Sequence, residues 1–290
     1  MTVMDSFAKS IAGAWPGTAV STVRFLVQTL LLVPLVAWRY GRAGFSTPRR
    51  GLQIARAAAL SAASAIFFTA VMLMPLADAT AVAFVNPLLV AVLAAIFLGE
   101  RTPAGIVVAT LIAFAGVLVI LQPNVAAIGW RALLPVASAL CFSTYLILNR
   151  VSAGLAPALA MQCVGGAIGT VMLGAIAMAL HASGLDAFHI PPPTALILAK
   201  VGAMGVFGTM GHVFLFMASE RAPAPVTAPM VYTQIVLATF IGWWWFGDPL
   251  TLSTMAGVAL IIACGLYVWR LSARGTAPPP RAGSGSGASS

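Results

Sequence analysis

Predominantly apolar stretches, each close to the length of one membrane crossing, recur along the chain at 17–38, 53–74, 79–98, 104–122, 132–149, 158–181, 194–219, 225–246 and 251–269. About 20 such residues in a helix cover the hydrocarbon core of a bilayer. Only helices and closed barrels satisfy their own backbone there. A shorter helical piece, MTVMDSFAKSIAG, precedes these stretches, and the connections MPLADA, GERTP, QPN and GDP leave room only for a compact bundle. Charged residues make up 7% of the chain, against roughly a quarter in a soluble domain. So few charges cannot cover a water-facing surface, and the expected class is an all-α integral membrane protein. From Leu271 the chain is Pro, Gly and Ser with nothing to bury, so 271–290 is expected to be a disordered tail.

The net charge of +9 points to orientation and not to nucleic acid. Alternate connections carry Arg39, Arg42, Arg49, Arg50 and Arg56, then Arg101, Arg150 and Arg221, then Arg270, Arg274 and Arg281 in the tail. The opposite side receives Lys9, Arg131 and Lys200, and Arg24 falls inside a span. Lys and Arg stay on the cytoplasmic side, so both termini are expected in the cytoplasm, with the chain in the cell's inner (plasma) membrane. A duplex-binding surface would need a basic patch interleaved with polar groups, and none is present. Cys141, Cys163 and Cys264 each lie within apolar runs without metal-ligand spacing, and read as small buried hydrophobes.

The chain repeats itself. ADATAVAFVNPLLVAVLAAIFLGERTPAGIVVATLIAFAGVLVI, from Ala77, aligns with APVTAPMVYTQIVLATFIGWWWFGDPLTLSTMAGVALIIACGLYVW, from Ala224. Gly99-Glu100 falls on Gly247-Asp248, and upstream Lys9 and Pro16 fall on Arg150 and Pro157. A five-helix unit has been duplicated on this reading. Five being odd, the two copies enter the bilayer from opposite sides, as in inverted-repeat transporters. The expected architecture is a ten-helix bundle of two inverted halves, 1–122 and 131–270. The first helix is expected to be truncated, because only Met1 to Met4 stand where the second copy carries residues 132–145.

The paired segments LGERTPAGIVVATLIAFAGVLVI and FGDPLTLSTMAGVALIIACGLYV, with the opening MDSFAKSIAGAWPGTAVSTVRFLVQTLLL, resemble the drug/metabolite transporter superfamily, in particular its EamA-type ten-helix members. The resemblance covers nearly the whole chain from Met4 to Trp269. It implies two inverted halves around a central pathway and alternating access for a small metabolite. Similar proteins export amino acids or take up riboflavin or S-adenosylmethionine.

Polar side chains within spans are costly and mark candidate sites. Asp5 and Lys9 are four apart on one helix face, where they can pair as a structural contact or as an ion or substrate latch. Arg24 can snorkel outward, pair with Asp5 or meet an anionic group of a solute. Asn86-Pro87 lies mid-span, where proline frees a backbone carbonyl and bends the helix. The repeat aligns Asn86 with Gln234, beside Tyr232. Two mid-span polar clusters in inverted copies meet near the midplane, so Asn86, Tyr232 and Gln234 are the leading solute contacts, with interhelical hydrogen bonding the structural alternative. His212 follows Gly202, Gly205, Gly208 and Gly211, whose spacing lets a neighbouring helix approach closely. The histidine is either a proton-coupling group or a bonded structural one. Tyr145 and Gln162 are weaker candidates. Phe67, Phe68, Phe84 and Trp243 can stack on a flat solute but fit lipid-facing or interfacial roles better. Glu100 and Asp248 are expected to cap the span that follows each.

No phosphate-binding loop, HExxH or nucleophile elbow occurs, and His181 and His189 in one polar loop lack thiol or acidic partners for a metal. No cofactor is expected. The partners implied are a small-molecule substrate and the lipid bilayer. The alternatives to transport are a membrane-embedded enzyme, for which the six acidic residues are too scattered, and a sensor or scaffold, which would not need mid-span polar groups in both copies.

Overall fold

The computed structural model describes residues 1–99, 104–105, 108, 111–112, 115–116, 129–152, 154–221, 224–248 and 250–275. Among them are ten α-helices: α1 (Thr2–Lys9), α2 (Gly17–Tyr40), α3 (Arg50–Leu73), α4 (Leu76–Ala83), α5 (Asn86–Leu98), α6 (Leu133–Val151), α7 (Ala158–Ala182), α8 (Ala195–Arg221), α9 (Ala224–Phe246) and α10 (Leu252–Gly275). Most of the expected span 104–122 lies outside the described residues. α10 runs to Gly275, past the expected start of the tail, and the rest of that tail is also outside them.

Among the described residues, five helical stretches are long and apolar enough to cross a membrane: Gly17–Phe45, Arg50–Leu73, Gly129–Val151, Ala158–Ala182 and Ala195–Leu215. Proline sets several starts. Pro16, Pro75 and Pro157 stand immediately before α2, α4 and α7, each extended with ψ near 141–149°. A residue there lacks an intrahelical partner for its N–H, so proline loses nothing. The expected span 79–98 is instead two helices. α4 ends at Ala83, and α5 starts at Asn86 with Pro87 in its first turn. Pro87 has no N–H for the ladder, so the bend expected there becomes a break.

The repeat has a backbone echo. Gly99 closes α5 at φ +65° and Gly247 follows α9 at φ +67°, a left-handed conformation that glycine adopts without strain. The two turns lie at opposite ends of the bundle. Asp248 receives the Leu76 backbone N–H at the start of α4 (3.3 Å), whereas Gly99 lies beyond the far end of α5.

Packing links distant parts of the chain. α2 runs along α7, α3 along α6 and α1 along α8, with further crossings of α2 on α8 and α3 on α7. The glycine stripe of α8 closes these crossings. A Cβ on Gly205 would sit 2.5 Å from Val27 Cβ of α2, and one on Gly208 would sit 2.6 Å from Met4 Sδ of α1. Gly211 faces Met1 at ordinary contact distance, while Gly202 faces open space. The main core joins Met4, Ala8, Val20, Phe68, Leu76 and Met204 from α1, α2, α3, α4 and α8. Phe68 is core and Phe67 and Phe84 pack against it, so these rings fill the interior instead of facing lipid. Trp243, Trp244 and Trp245 are exposed near the end of α9, where a belt of aromatic side chains suits a membrane interface.

Candidate functional site

Two buried polar clusters sit toward opposite ends of the bundle. The first is built on α1, α2, α3 and α8. Arg24 is fully buried two turns into α2, and one guanidinium nitrogen donates to Ser64 Oγ of α3 at 3.1 Å. The guanidinium carbon also stands 4.4 Å from the centre of the Phe25 ring. Among the described residues, Nε and Nη2 of Arg24 have no hydrogen-bond partner. Asp5 of α1 and His212 of α8 are both buried, and each lies close enough to feel the Arg24 charge. The Nδ1 of His212 has no partner either. Cation, carboxyl and imidazole therefore share one dry region where α1, α2 and α8 meet. Of the alternatives for Arg24, snorkelling to the surface is excluded by its burial.

Lys9 corrects the expected pairing with Asp5. Its Nζ reaches Asp248 Oδ2 at 2.6 Å and stands 4.5 Å from the Phe246 ring centre. The reason is directional: Lys9 is the last residue of α1 and extends past the helix end toward the α9–α10 turn, whereas Asp5 is held in the interior. Asp248 also departs from expectation. It caps α4, through the Leu76 N–H, and not the helix that follows it. The start of α10 is capped by Thr251, whose Oγ1 accepts the Thr254 N–H at 3.2 Å. Two more contacts close the same end: Lys200 Nζ donates to Ser10 O (3.1 Å), and Trp15 Nε1 to Pro191 O (3.1 Å). Pro75, Asp78, Thr239, Asp248, Thr251 and Thr254 line a shallow recess there.

The second cluster was only partly visible in sequence. Arg56, which the charge pattern places among loop arginines, is 1% exposed, because α3 begins at Arg50 and carries it into the bundle. Its Nη1 donates to Asn149 Oδ1 of α6 at 2.9 Å, and its Nη2 donates to the Met161 carbonyl of α7. Tyr145 is buried with its ring centre 6.0 Å from this guanidinium, and its hydroxyl accepts from Gln162 Nε2 at 3.0 Å. Gln28 Nε2 of α2 donates to the Gln162 carbonyl at 3.0 Å. The Tyr145 and Gln162 candidates thus belong together, and Arg56, Gln28, Gln53 and Asn149 join them. Alternation of polar and small residues in QIARAAALSAASA was the available signal, since it puts Gln53 and Arg56 on one helix face.

Among the described mid-span candidates, Asn86 and Gln234 bond to residues outside both clusters. Asn86 is half-buried at the α4–α5 break, and its backbone carbonyl accepts from Ser143 Oγ at 3.3 Å. The Gln234 carbonyl accepts from Thr2 Oγ1 at 3.3 Å. α4, which ends three residues before Asn86, packs on α9, whereas α5, which carries Asn86, packs on α6. The Tyr232 side chain lies outside the described residues. Among the described residues, no group of three His, Cys, Asp or Glu could hold a metal.

Known proteins resemble this chain along most of its length. It is 24% identical over 273 residues to an S-adenosylmethionine uptake transporter of Rickettsia conorii, covering 92% of this chain and 90% of that one. It is 26% identical over 271 residues to a pseudopaline exporter of Pseudomonas aeruginosa, covering 90% and 89%. A riboflavin transporter of Rhizobium johnstonii is 29% identical over 196 residues, covering 68% of this chain and 62% of that one. A solved crystal structure matches the fold with a TM-score of 0.70 at 21% identity, over 95% of this chain and 96% of the other. The EamA-like transporter family profile matches residues 2–122 and again 129–269. A multi-pass helical chain matched twice by that profile, with relatives named as transporters across nine-tenths of its length, belongs to the EamA-like transporter family.

Proposed function

We propose that the chain is a secondary transporter that moves a small organic metabolite across the inner membrane by alternating access. Its two five-helix halves, 1–122 and 131–270, are inserted in opposite directions, and both termini face the cytoplasm. The pairing of α1 with α8, α3 with α6 and α2 with α7 supports this reading, because exchanging the halves exchanges the first two pairs and returns the third. The observation that carries the proposal is the buried group Asp5, Arg24 and His212 at the junction of the halves. Ionisable groups inside a bilayer protein are expensive and serve solute or ion pathways. In this scheme Asn86, Tyr232, Gln234, Tyr145 and His212 contact the solute. Arg24 and Asp5 couple its binding to movement, and Lys9 with Asp248 latches the end where α1 meets the α9–α10 turn.

The relatives suggest the solutes to try. Purified protein in proteoliposomes, offered labelled S-adenosylmethionine, riboflavin and aromatic amino acids with and without a proton gradient, should accumulate at least one of them. Absence of uptake or exchange for the whole panel counts against transport of these classes. Tyr232→Ala and Gln234→Ala should raise KM about tenfold with unchanged melting, the scale of one lost polar contact. An unchanged KM removes those residues from the site.

A further inference from the structure

The geometry points to a second solute-binding position, a carboxylate subsite formed by Arg56, Tyr145 and Gln53 toward the N-terminal end of α3. Arg56 is buried, yet among the described residues it has no carboxylate partner: its bonds go to a neutral amide oxygen and a backbone carbonyl. A buried cation without a counter-charge is unfavourable, and an anionic ligand would relieve it. The donors left over suit a carboxylate. Only two of the five N–H groups of a guanidinium are used, and Nε has no partner. The Tyr145 hydroxyl accepts from Gln162 and retains its own hydrogen to donate. Gln53, 1% exposed and one turn before Arg56 on the same face, has neither amide atom bonded. Gly165 lets α7 lie close to the guanidinium, since a Cβ there would stand in contact with Nη2 at 3.4 Å. A carboxylate placed between these donors gains charge-assisted bonds and supplies the missing negative charge.

The subsite's role as a station on the pathway rests on the transport reading above, whereas its ligand class does not. It favours solutes that bear a carboxylate over neutral ones of similar shape. It also divides labour along the bundle: Arg24 lies toward the end closed by Lys9 and Asp248, and Arg56 toward the other.

The test uses the full chain in nanodiscs, with trifluoroacetate as the carboxylate probe and trifluoroacetamide as its neutral counterpart, both followed by fluorine NMR line broadening. Trifluoroacetate should broaden in the presence of the wild-type protein and trifluoroacetamide should not, and Arg56→Gln should weaken the trifluoroacetate effect about tenfold or more. Tyr145→Phe keeps the ring and removes one donor, and should weaken it about threefold or more, which covers the case of an Arg56→Gln protein that does not fold. Equal broadening by both probes, or trifluoroacetate binding untouched by a folded Arg56→Gln or by Tyr145→Phe, overturns the subsite. If metabolite uptake persists in that event, the transport proposal survives it. If the probe binds as expected but no solute is transported, the transport proposal fails instead.

Discussion

Arg24 and Arg56 are both buried guanidiniums in the membrane part of one chain, but their surroundings differ in charge. Arg24 shares its pocket with the Asp5 carboxyl, whereas Arg56 meets only Asn149, the Met161 carbonyl and Tyr145. The repeat relates the two places. At the offset that aligns Pro16 with Pro157, Arg24 falls on Gly165, and Gly165 is the residue of α7 that faces Arg56. At the α2–α8 crossing the arginine lies on α2 against Gly208, and at the α3–α7 crossing the glycine is on α7 and the arginine on α3. Each crossing sets one buried arginine against a glycine of a later helix. Both arginines belong to the first half of the chain, but Arg24 has an acidic side chain in its neighbourhood, whereas Arg56 is left to be satisfied by something else.

Removing each cation tests that difference most directly. Arg24→Gln takes from buried Asp5 one of the positive charges near it and leaves Ser64 without its donor, and the loss of unfolding free energy should be about 2–3 kcal/mol, the upper range for a lost buried polar partner. Asp5→Asn in the same chain should restore a large part of it, because the carboxyl that Arg24 faced is then a neutral amide. Arg56→Gln leaves only neutral acceptors behind and should cost about 1–2 kcal/mol. Denaturant titration of the four proteins in mixed micelles measures all of these. Equal losses for the two arginines, with no rescue by Asp5→Asn, would erase the contrast.

The glycines at the two crossings give the next largest contrast. At Gly205 an added Cβ would meet Val27 Cβ at 2.5 Å, and the branched valine cannot retreat without moving α2 from α8. Gly205→Ala should therefore destabilise by about 1–3 kcal/mol, the usual cost of overpacking. At Gly165 the only neighbour within reach among the described residues is Arg56 Nη2 at 3.4 Å, an ordinary contact. Gly165→Ala should change stability by less than about 0.5 kcal/mol, the level of a substitution that disturbs no packing. Melting curves of both alanine variants decide it. A Gly165→Ala loss as large as that of Gly205→Ala would mean that the α3–α7 crossing is as tight as its counterpart.

Periodicity and charge made the helices legible, because lipid imposes one rule on every span and α2, α3, α6, α7 and α8 each carry a stretch long and apolar enough to obey it. The Pro16 and Pro157 starts and the Gly99 and Gly247 turns could be read for the same local reason. Asn86-Pro87 was legible as a disturbance, but its size was not. Whether proline bends or breaks a helix depends on what the backbone around it bonds to instead, and here the stretch before Pro87 closes in tight turns, Phe84 N–H to the Ala81 carbonyl and Val85 N–H to the Val82 carbonyl. The site was less legible than the fold. Asp5 and Lys9 four apart describe a possible pair on an isolated helix, but Asp248 lies far away in sequence and wins the lysine. Arg56 looked like an orientation signal because a charge count along loops cannot see that α3 starts before it. Long-range partners of this kind are fixed by the packing of one half on the other, and no window of the chain contains them.

The smallest expected effect belongs to the Lys9–Asp248 latch, and it separates a gate from a structural contact. Both side chains are partly accessible, at 14% and 17% of their surfaces, so solvent screens the pair and its worth should be about 1 kcal/mol. Asp248→Asn keeps an oxygen for the Leu76 N–H and removes the charge that holds Lys9, so it isolates the ionic part of the contact. As a latch, that pair stabilises only the closed state of this end, and losing it should shift the opening equilibrium about fivefold toward the open state, the population equivalent of 1 kcal/mol. A cysteine introduced at Thr254, buried in the recess beside Asp248, reports the shift as a matching increase in its reaction rate with a membrane-impermeant maleimide. Lys9→Met should accelerate labelling by the same factor, and the double variant no further, since both changes remove one interaction. Labelling that stays slow in both variants while the melting temperature falls would assign the pair to the scaffold, leaving Arg24 and its neighbours to govern opening at this end.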